Sequence, residues 1–319
     1  MITLDHAYIV GGGFFAALAI LSGLDRANAR RLRNALFWGL LAMSFWAGDI
    51  ISDLGNGLLA LGLVALAALG LGQGKPATTS AEERRSSAER RGNLLFLPAL
   101  IIPAVALGGT LIVQYTEWGP QLIAAGDKTL ISLVIGVLIA VGVLMLWLKP
   151  PLLAPLQEGR RLMDSVGWAA LLPQMLASLG AVFLAAGVGQ QVGLIFSQYI
   201  PLDTRTLAVA AYCIGMALFT IIMGNAFAAF PVMTAAVGLP YVVLELGGDP
   251  ARVCAIGMLA GFCGTLMTPM AANFNVVPAN LLELPDRKLA LNGVIRAQIP
   301  TAIPLLIANI LLMRFLAFP

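Results

Sequence analysis

Apolar stretches of about twenty residues alternate along the chain with short polar segments, and this spacing by itself predicts the elements. A hydrocarbon core about 30 Å thick takes roughly 20 helical residues to cross. Against that length the first half reads as five spans, at 6–23, 35–51, 55–73, 94–113 and 129–148. They are separated by DRANARRLRN at 25–34, a turn from Asp49 to Gly57, the loop 74–92, TEWGPQLIAAGDK at 116–128 and the segment from Lys149 to Asp164. The loop 74–92, GKPATTSAEERRSSAERRG, has no apolar periodicity and is expected to be a mobile linker. Its EERRSSAERR core has the Glu and Arg neighbours of a short surface helix.

From residue 165 the pattern changes. Span 166–189 contains Pro173 and runs into Gly187 and Gly189, and the amphipathic LIFSQYIPL that follows is too short to cross, so it is either re-entrant or interfacial. Residues 205–246 would be roughly 63 Å long as one helix, so they must fold back. The region 220–282 is interrupted twice, once from Gly224-Asn225 to Pro231 and once from Gly264-Thr265 through Thr268-Pro269 to Asn273, Asn275 and Pro278. Helix breaks are therefore expected at Gly224, Pro231, Gly264, Pro269 and Pro278. With spans at 205–223, 226–246, 253–274 and 298–316 the count is about ten, in an all-α polytopic membrane protein with discontinuous or re-entrant helices in its C-terminal half. The halves, 1–164 and 165–319, then hold five spans each and would be inverted relative to one another, although no sequence match between them supports a repeat.

Composition agrees. Hydrophobic residues make up 59% and charged residues only 11%, against roughly 25% charged in soluble proteins. Mean hydropathy is +0.90. The formal charge of +3 comes from short loops: Arg26, Arg30, Arg31 and Arg33, then Lys75, Arg84, Arg85, Arg90 and Arg91, then Lys149, Arg160 and Arg161. Every second loop is basic, which by the positive-inside rule places these loops in the cytoplasm and the N-terminus outside. Arg287, Lys288 and Arg296 fall on the same side. No basic stripe with interleaved aromatics points to nucleic acid. The first span lacks a basic start and reads as a retained helix. Cys213, Cys254 and Cys263 lie in apolar stretches without metal-ligand spacing and read as packing residues.

Lipid offers no hydrogen-bond partners, so backbone freed by Gly or Pro is tolerated only where protein or a water-filled cavity surrounds it. Transporters use such breaks to present backbone groups to a solute near the midplane. Gly and Pro also simply mark close packing of membrane helices. Asn225, Thr265, Thr268, Asn273 and Asn275 at the two breaks, with Gln190 and Gln191 after Gly187, are the candidate solute ligands, because Asn, Gln and Thr both donate and accept and suit a carboxylate plus an amide. Asp49 and Asp53, four apart, are candidates for ion coupling on a shared helix face, or else carboxylates solvated in the turn after span two. Glu245 and Arg205 read as helix-end residues, with Asp203 or Thr204 as a cap, and Arg296 and Gln298 open the last span as anchors rather than substrate ligands. A single histidine, His6, excludes a His-based triad or multi-His metal site, no Walker sequence is present, and no cofactor is implied. An intramembrane enzyme built on Asp49 and Asp53 is the remaining catalytic alternative.

The runs AAGVGQQVG, MGNAFAAFPVMTAAVGLP and GTLMTPMAANFNVVPANLLEL resemble, over nearly the whole chain, a bacterial membrane-protein family known as the domain of unknown function, family 979. Their pattern is also broadly similar to the broken-helix regions of the ion transporter superfamily, which carries organic anions. The family resemblance implies a permease in the bacterial cytoplasmic membrane, encoded beside a second membrane protein of a sister family and near enzymes of 5-oxoproline metabolism. It thus implies uptake of a small carboxylate such as 5-oxoproline, by a two-protein carrier. A homo-oligomer in lipid is the alternative assembly, and with no nucleotide-binding element in the sequence the energy is expected from H⁺ or Na⁺. The competing class is a non-transporting scaffold subunit.

Overall fold

The computed structural model describes residues 1–74, 79–200, 202, 204–282 and 287–318. Among them there are helices but no strand, only a single bridge joining Ile2 to Ile123. Seven helical stretches are long and apolar enough to cross a membrane. The chain separates into two compact units, Met1–Gly167 and Trp168–Pro319.

In the first unit, α1 (Leu4–Leu24) pairs with α2 (Arg31–Ala47), and α3 (Asp53–Ala68) packs on α2. The indole of Trp46 fills the space where a side chain on Gly12 would stand, and Phe15 stacks on the fully buried Trp38 at 5.9 Å. The short α4 (Ala81–Arg91) leads through a 3-10 turn into α5 (Leu97–Tyr115). After the one-turn α6 (Gly119–Leu122), α7 (Lys128–Leu148) returns against α5, with Gly136 close to the Ile102 carbonyl. The amphipathic α8 (Ala154–Val166) packs on α1, which carries the unit boundary past Asp164 to Gly167. Helices α2 and α3, at 17 and 16 residues, reach about 26 and 24 Å and fall short of a full hydrocarbon core.

Of the loop 74–92, residues 75–78 lie outside the described residues, and the EERRSSAERR core falls in α4, the short surface helix that its Glu and Arg neighbours allow. The Ser80 hydroxyl accepts from the Glu83 amide at 3.1 Å and the Glu83 carboxylate accepts from the Ser80 amide at 2.9 Å, a reciprocal capping box. Arg85 pairs with Glu89 one turn on at 3.0 Å, and Arg90 and Arg91 occupy the last turn, where the helix dipole favours cations. Replacing Ser80 by Ala is expected to cost α4 about 1 kcal/mol, read as faster amide exchange over 81–91 with the rest of the unit unchanged.

A polar network ties the ends of four elements of this unit together. The buried Asp164 carboxylate accepts from Asn34 Nδ2 (3.0 Å), Trp38 Nε1 (3.4 Å) and the Gly74 amide (3.2 Å). Arg160, one turn before it on α8, donates to Asp25 at 2.7 Å and to the Leu21 carbonyl at 2.6 Å. Asn34 also donates to the Gly72 carbonyl, and Arg33 to the Leu69 carbonyl at 2.7 Å, so the first basic segment satisfies the free end of α3.

In the second unit, a 3-10 turn (Gly167–Leu171) opens onto α9 (Leu172–Ala185). Gly187, at φ 71°, ends it, and α10 (Val188–Tyr199) begins earlier than the LIFSQYIPL segment, because Gly189 and Gly193 seat its first turns against the Val232 and Ala236 carbonyls. Then follow α11 (Arg205–Met223), capped by Thr204, and α12 (Ala226–Met233), which continues as a π-helix over Thr234–Glu245. Helix α13 (Pro250–Leu266) leads, after a gap, to a π-helical turn over Ala272–Val276, and α14 (Val277–Leu281) follows directly. The long α15 (Arg287–Leu316) starts well before residue 298 and contains Pro300 and Pro304. The core forms where α11, α13 and the π-helix meet around Tyr212, fully buried with its hydroxyl 2.9 Å from Thr234 Oγ1.

Only two of the five expected breaks interrupt a helix. Gly224 separates α11 from α12, and Pro269 lies between α13 and the π turn. Pro231 lies inside α12, where the Phe227 carbonyl four residues earlier loses its amide partner; this carbonyl lies against Gly180 of α9, and the widened π ladder begins at Thr234, within one turn. Gly264 stays helical because a side chain there would meet the Ala217 carbonyl of α11, so its smallness serves packing. Pro278 is the second residue of α14, a position that needs no amide donor.

Candidate functional site

The two true breaks meet. Gly224, at φ 78°, closes α11 with its amide bonded to the Thr220 carbonyl, and a Cβ built on it would stand 2.6 Å from Met270 Cβ and 3.0 Å from the Met270 carbonyl oxygen. Asn225 then caps α12, its Oδ1 accepting from the Phe227 amide at 2.7 Å. From the other side, Thr268 donates its hydroxyl to the Ile221 carbonyl at 2.9 Å, which fastens the second break to the open end of α11.

Asn275 secures the second break internally. Its Nδ2 donates to the Thr265 carbonyl (2.9 Å) and the Thr268 carbonyl (2.7 Å), acceptors that the end of α13 leaves free. Two carbonyl acceptors on one side fix the orientation of the amide, and Asn275 Oδ1 is left fully buried without a partner among the described residues. Gln298 of α15 donates to the Phe274 carbonyl at 3.2 Å, and its Oε1 is likewise buried and unpartnered, as is the Thr220 hydroxyl. Three unpaired polar atoms beside two backbone breaks form a concentration of unmet hydrogen-bonding capacity, which native interiors rarely carry without use.

Between the breaks is a crevice lined by Leu172, Leu176, Gly224, Asn225, Ala271, Ala272 and Phe274. It offers about 10 Å³, on the order of one water. The described arrangement is thus closed to any organic solute at this point.

Of the expected ligands, Asn225 lines the crevice, Thr268 fastens its two sides together, and Asn275 braces the second break from within. Thr265 is engaged within its own helix, donating to Phe262 at 2.6 Å. Gln190 and Gln191 are exposed on α10 and do not line the crevice. The Asn273 side chain and Asp203 lie outside the described residues. Asp49 sits in the turn after α2, whereas Asp53 opens α3 behind the Ser52 cap; both are exposed, and the turn between them removes the shared helix face. Gln298, an anchor by its place after a charged loop, instead meets the second break; nothing in its spacing shows that α15 passes there.

Taken together, these features define an all-helical, multi-pass membrane protein whose second unit holds two interrupted helices fastened break to break. The chain belongs to the family described as protein of unknown function (DUF979), whose model matches residues 5–318. Nothing matches among curated proteins or among solved structures.

Proposed function

We propose that the protein is a secondary permease, or the solute-binding subunit of one, that moves a small carboxylate across the bacterial cytoplasmic membrane. The observation that carries this reading is the abutment of the two breaks at Gly224 and Met270, with Asn225 on the crevice and the buried acceptor oxygens of Asn275 and Gln298 unpaired at the second break. The α12 N-terminus suits an anionic group. The unpaired carboxamide oxygens suit a donor such as an amide N–H. 5-Oxoproline carries both groups, a carboxylate and a lactam N–H, and it is the substrate that the family resemblance suggested.

In this reading the basic loops face the cytoplasm, the N-terminus lies outside, and the short helices α2, α3 and α13 complete ten crossings. The crevice opens when the Thr268 to Ile221 tie parts, and H⁺ or Na⁺ supplies the energy.

Uptake of labelled 5-oxoproline is the test, in cells lacking their own carrier and expressing the chain alone or with its sister-family neighbour. Uptake with the pair only makes this chain one subunit of a carrier, and uptake with the chain alone makes it the whole carrier. No uptake with both proteins in the membrane discards the substrate. Asn225→Ala is expected to reduce uptake about tenfold, the equivalent of 1.4 kcal/mol, at normal membrane level. A scaffold would keep its partner's uptake unchanged in that variant.

A further inference from the structure

A large groove in the first unit is far from the two breaks in sequence and has a different chemistry. It lies between α4 and the elbow joining α7 to α8 and has a volume of about 1100 Å³, at the top of the roughly 300–1,000 Å³ range of small-molecule pockets. One wall is Arg84, Ser87 and Arg91, which three- and four-residue spacing places along one face of α4. The other is apolar, built from Leu148, Leu152 and Leu153.

The two acidic residues on the rim only partly offset the arginines. Glu158 pairs with Arg161 at 2.7 Å, and Glu83, held in the capping box by the Ser80 amide, leaves the α4 wall with one net positive charge from Arg84 and Arg91. Arg91 lies 5.7 Å from the centre of the Trp147 ring and donates to Ser87 at 2.7 Å. Leu152 is 88% exposed and continues the apolar wall past Leu153 to the open side of the groove. The groove opens where α5 begins and α7 ends, and both helices are membrane-spanning candidates, so it sits at headgroup depth. A tryptophan beside arginines is characteristic of that depth.

We propose that this groove is a binding site for an anionic phospholipid, its phosphate held by Arg84 and Arg91 and an acyl chain lying along Leu148, Leu152 and Leu153. The charge of the α4 wall selects an anion, and the apolar wall selects one that carries a chain. This site is independent of the solute crevice, and its test involves no transport.

The full chain, purified in detergent, would be titrated with phosphatidylglycerol, with phosphatidylcholine of the same acyl chains and with inorganic phosphate, following bound lipid by native mass spectrometry and stability by thermal unfolding. Phosphatidylglycerol alone is expected to bind and stabilise. Arg84→Gln combined with Arg91→Gln is expected to weaken it about thirtyfold, each arginine contributing about a factor of five. Leu152→Gln, at an exposed position that folding does not depend on, is expected to weaken it as well. Arg85→Gln, whose guanidinium is 83% exposed and faces Glu89 rather than the groove, should bind like the wild type. Equal binding of phosphatidylcholine, an equal shift with inorganic phosphate, or an equal loss in Arg85→Gln would overturn the proposal, the last by reducing the effect to the diffuse charge of the basic loop.

Discussion

Replacing Asp164 by Ala is expected to destabilise the first unit by about 3–5 kcal/mol, the usual cost of stripping one partner from a buried ion cluster. Trp38 Nε1 and the Gly74 amide lose their acceptor at once, Asn34 Nδ2 is left with the Gly72 carbonyl alone, and Arg160 keeps Asp25 as its only close carboxylate. Asp164, Arg160 and Asn34 are all buried, so solvent is a poor replacement for the lost carboxylate. Thermal unfolding of the full chain in detergent should show a melting temperature roughly 10 °C lower, by the scaling for a unit of this size. Arg85→Gln, which removes a fully surface pair on α4, gives the comparison and should stay within about 0.5 kcal/mol of wild type. A loss below about 1 kcal/mol for Asp164→Ala would mean that the network is incidental to the packing of α8.

That network was illegible in the sequence for a physical reason. Each of its members reads locally as something ordinary: Asp25 and Asn34 flank a basic loop, and Arg160 and Asp164 are charges of an amphipathic segment. Their convergence depends on α8 folding back on α1, a contact across more than a hundred residues that no local spacing encodes. The break region was legible because its signal is local. Gly224-Asn225 and Thr268-Pro269 cannot propagate an α-helix in an apolar environment without special partners, and the structure places those partners in each other. The over-reading of Pro231 has the converse cause. A proline removes one amide, but a shift to π geometry a few residues later, with Gly180 opposite the freed carbonyl, keeps the segment helical, and nothing short of the packing of α9 reveals that. For loop 74–92, composition pointed to a linker and the Glu and Arg neighbours to a short helix, and the helix over 81–91 is anchored at its start by Ser80 and Glu83, three residues apart.

Gly224→Ala should be the most damaging small substitution in the second unit, and its damage separates into two parts. A left-handed backbone costs a side chain about 1–2 kcal/mol. The added Cβ also meets Met270 Cβ at 2.6 Å and the Met270 carbonyl at 3.0 Å, and overpacking of this kind costs a further 1–3 kcal/mol or so. Gly247 isolates the first part, because it has nearly the same φ, 77° against 78°, and nothing within 4 Å of its would-be Cβ. Gly247→Ala is therefore expected to show only the backbone cost, and the excess in Gly224→Ala measures the contact between the two breaks. That contact also joins Asn225 to the crevice, so Gly224→Ala should abolish uptake of the transported carboxylate at normal membrane level, while Gly247→Ala keeps it. Equal destabilisation in the two variants would show that the breaks do not press on one another. Full uptake in Gly224→Ala would remove the junction of the breaks from the solute pathway, because a carrier that works through that junction cannot tolerate a methyl group wedged into it.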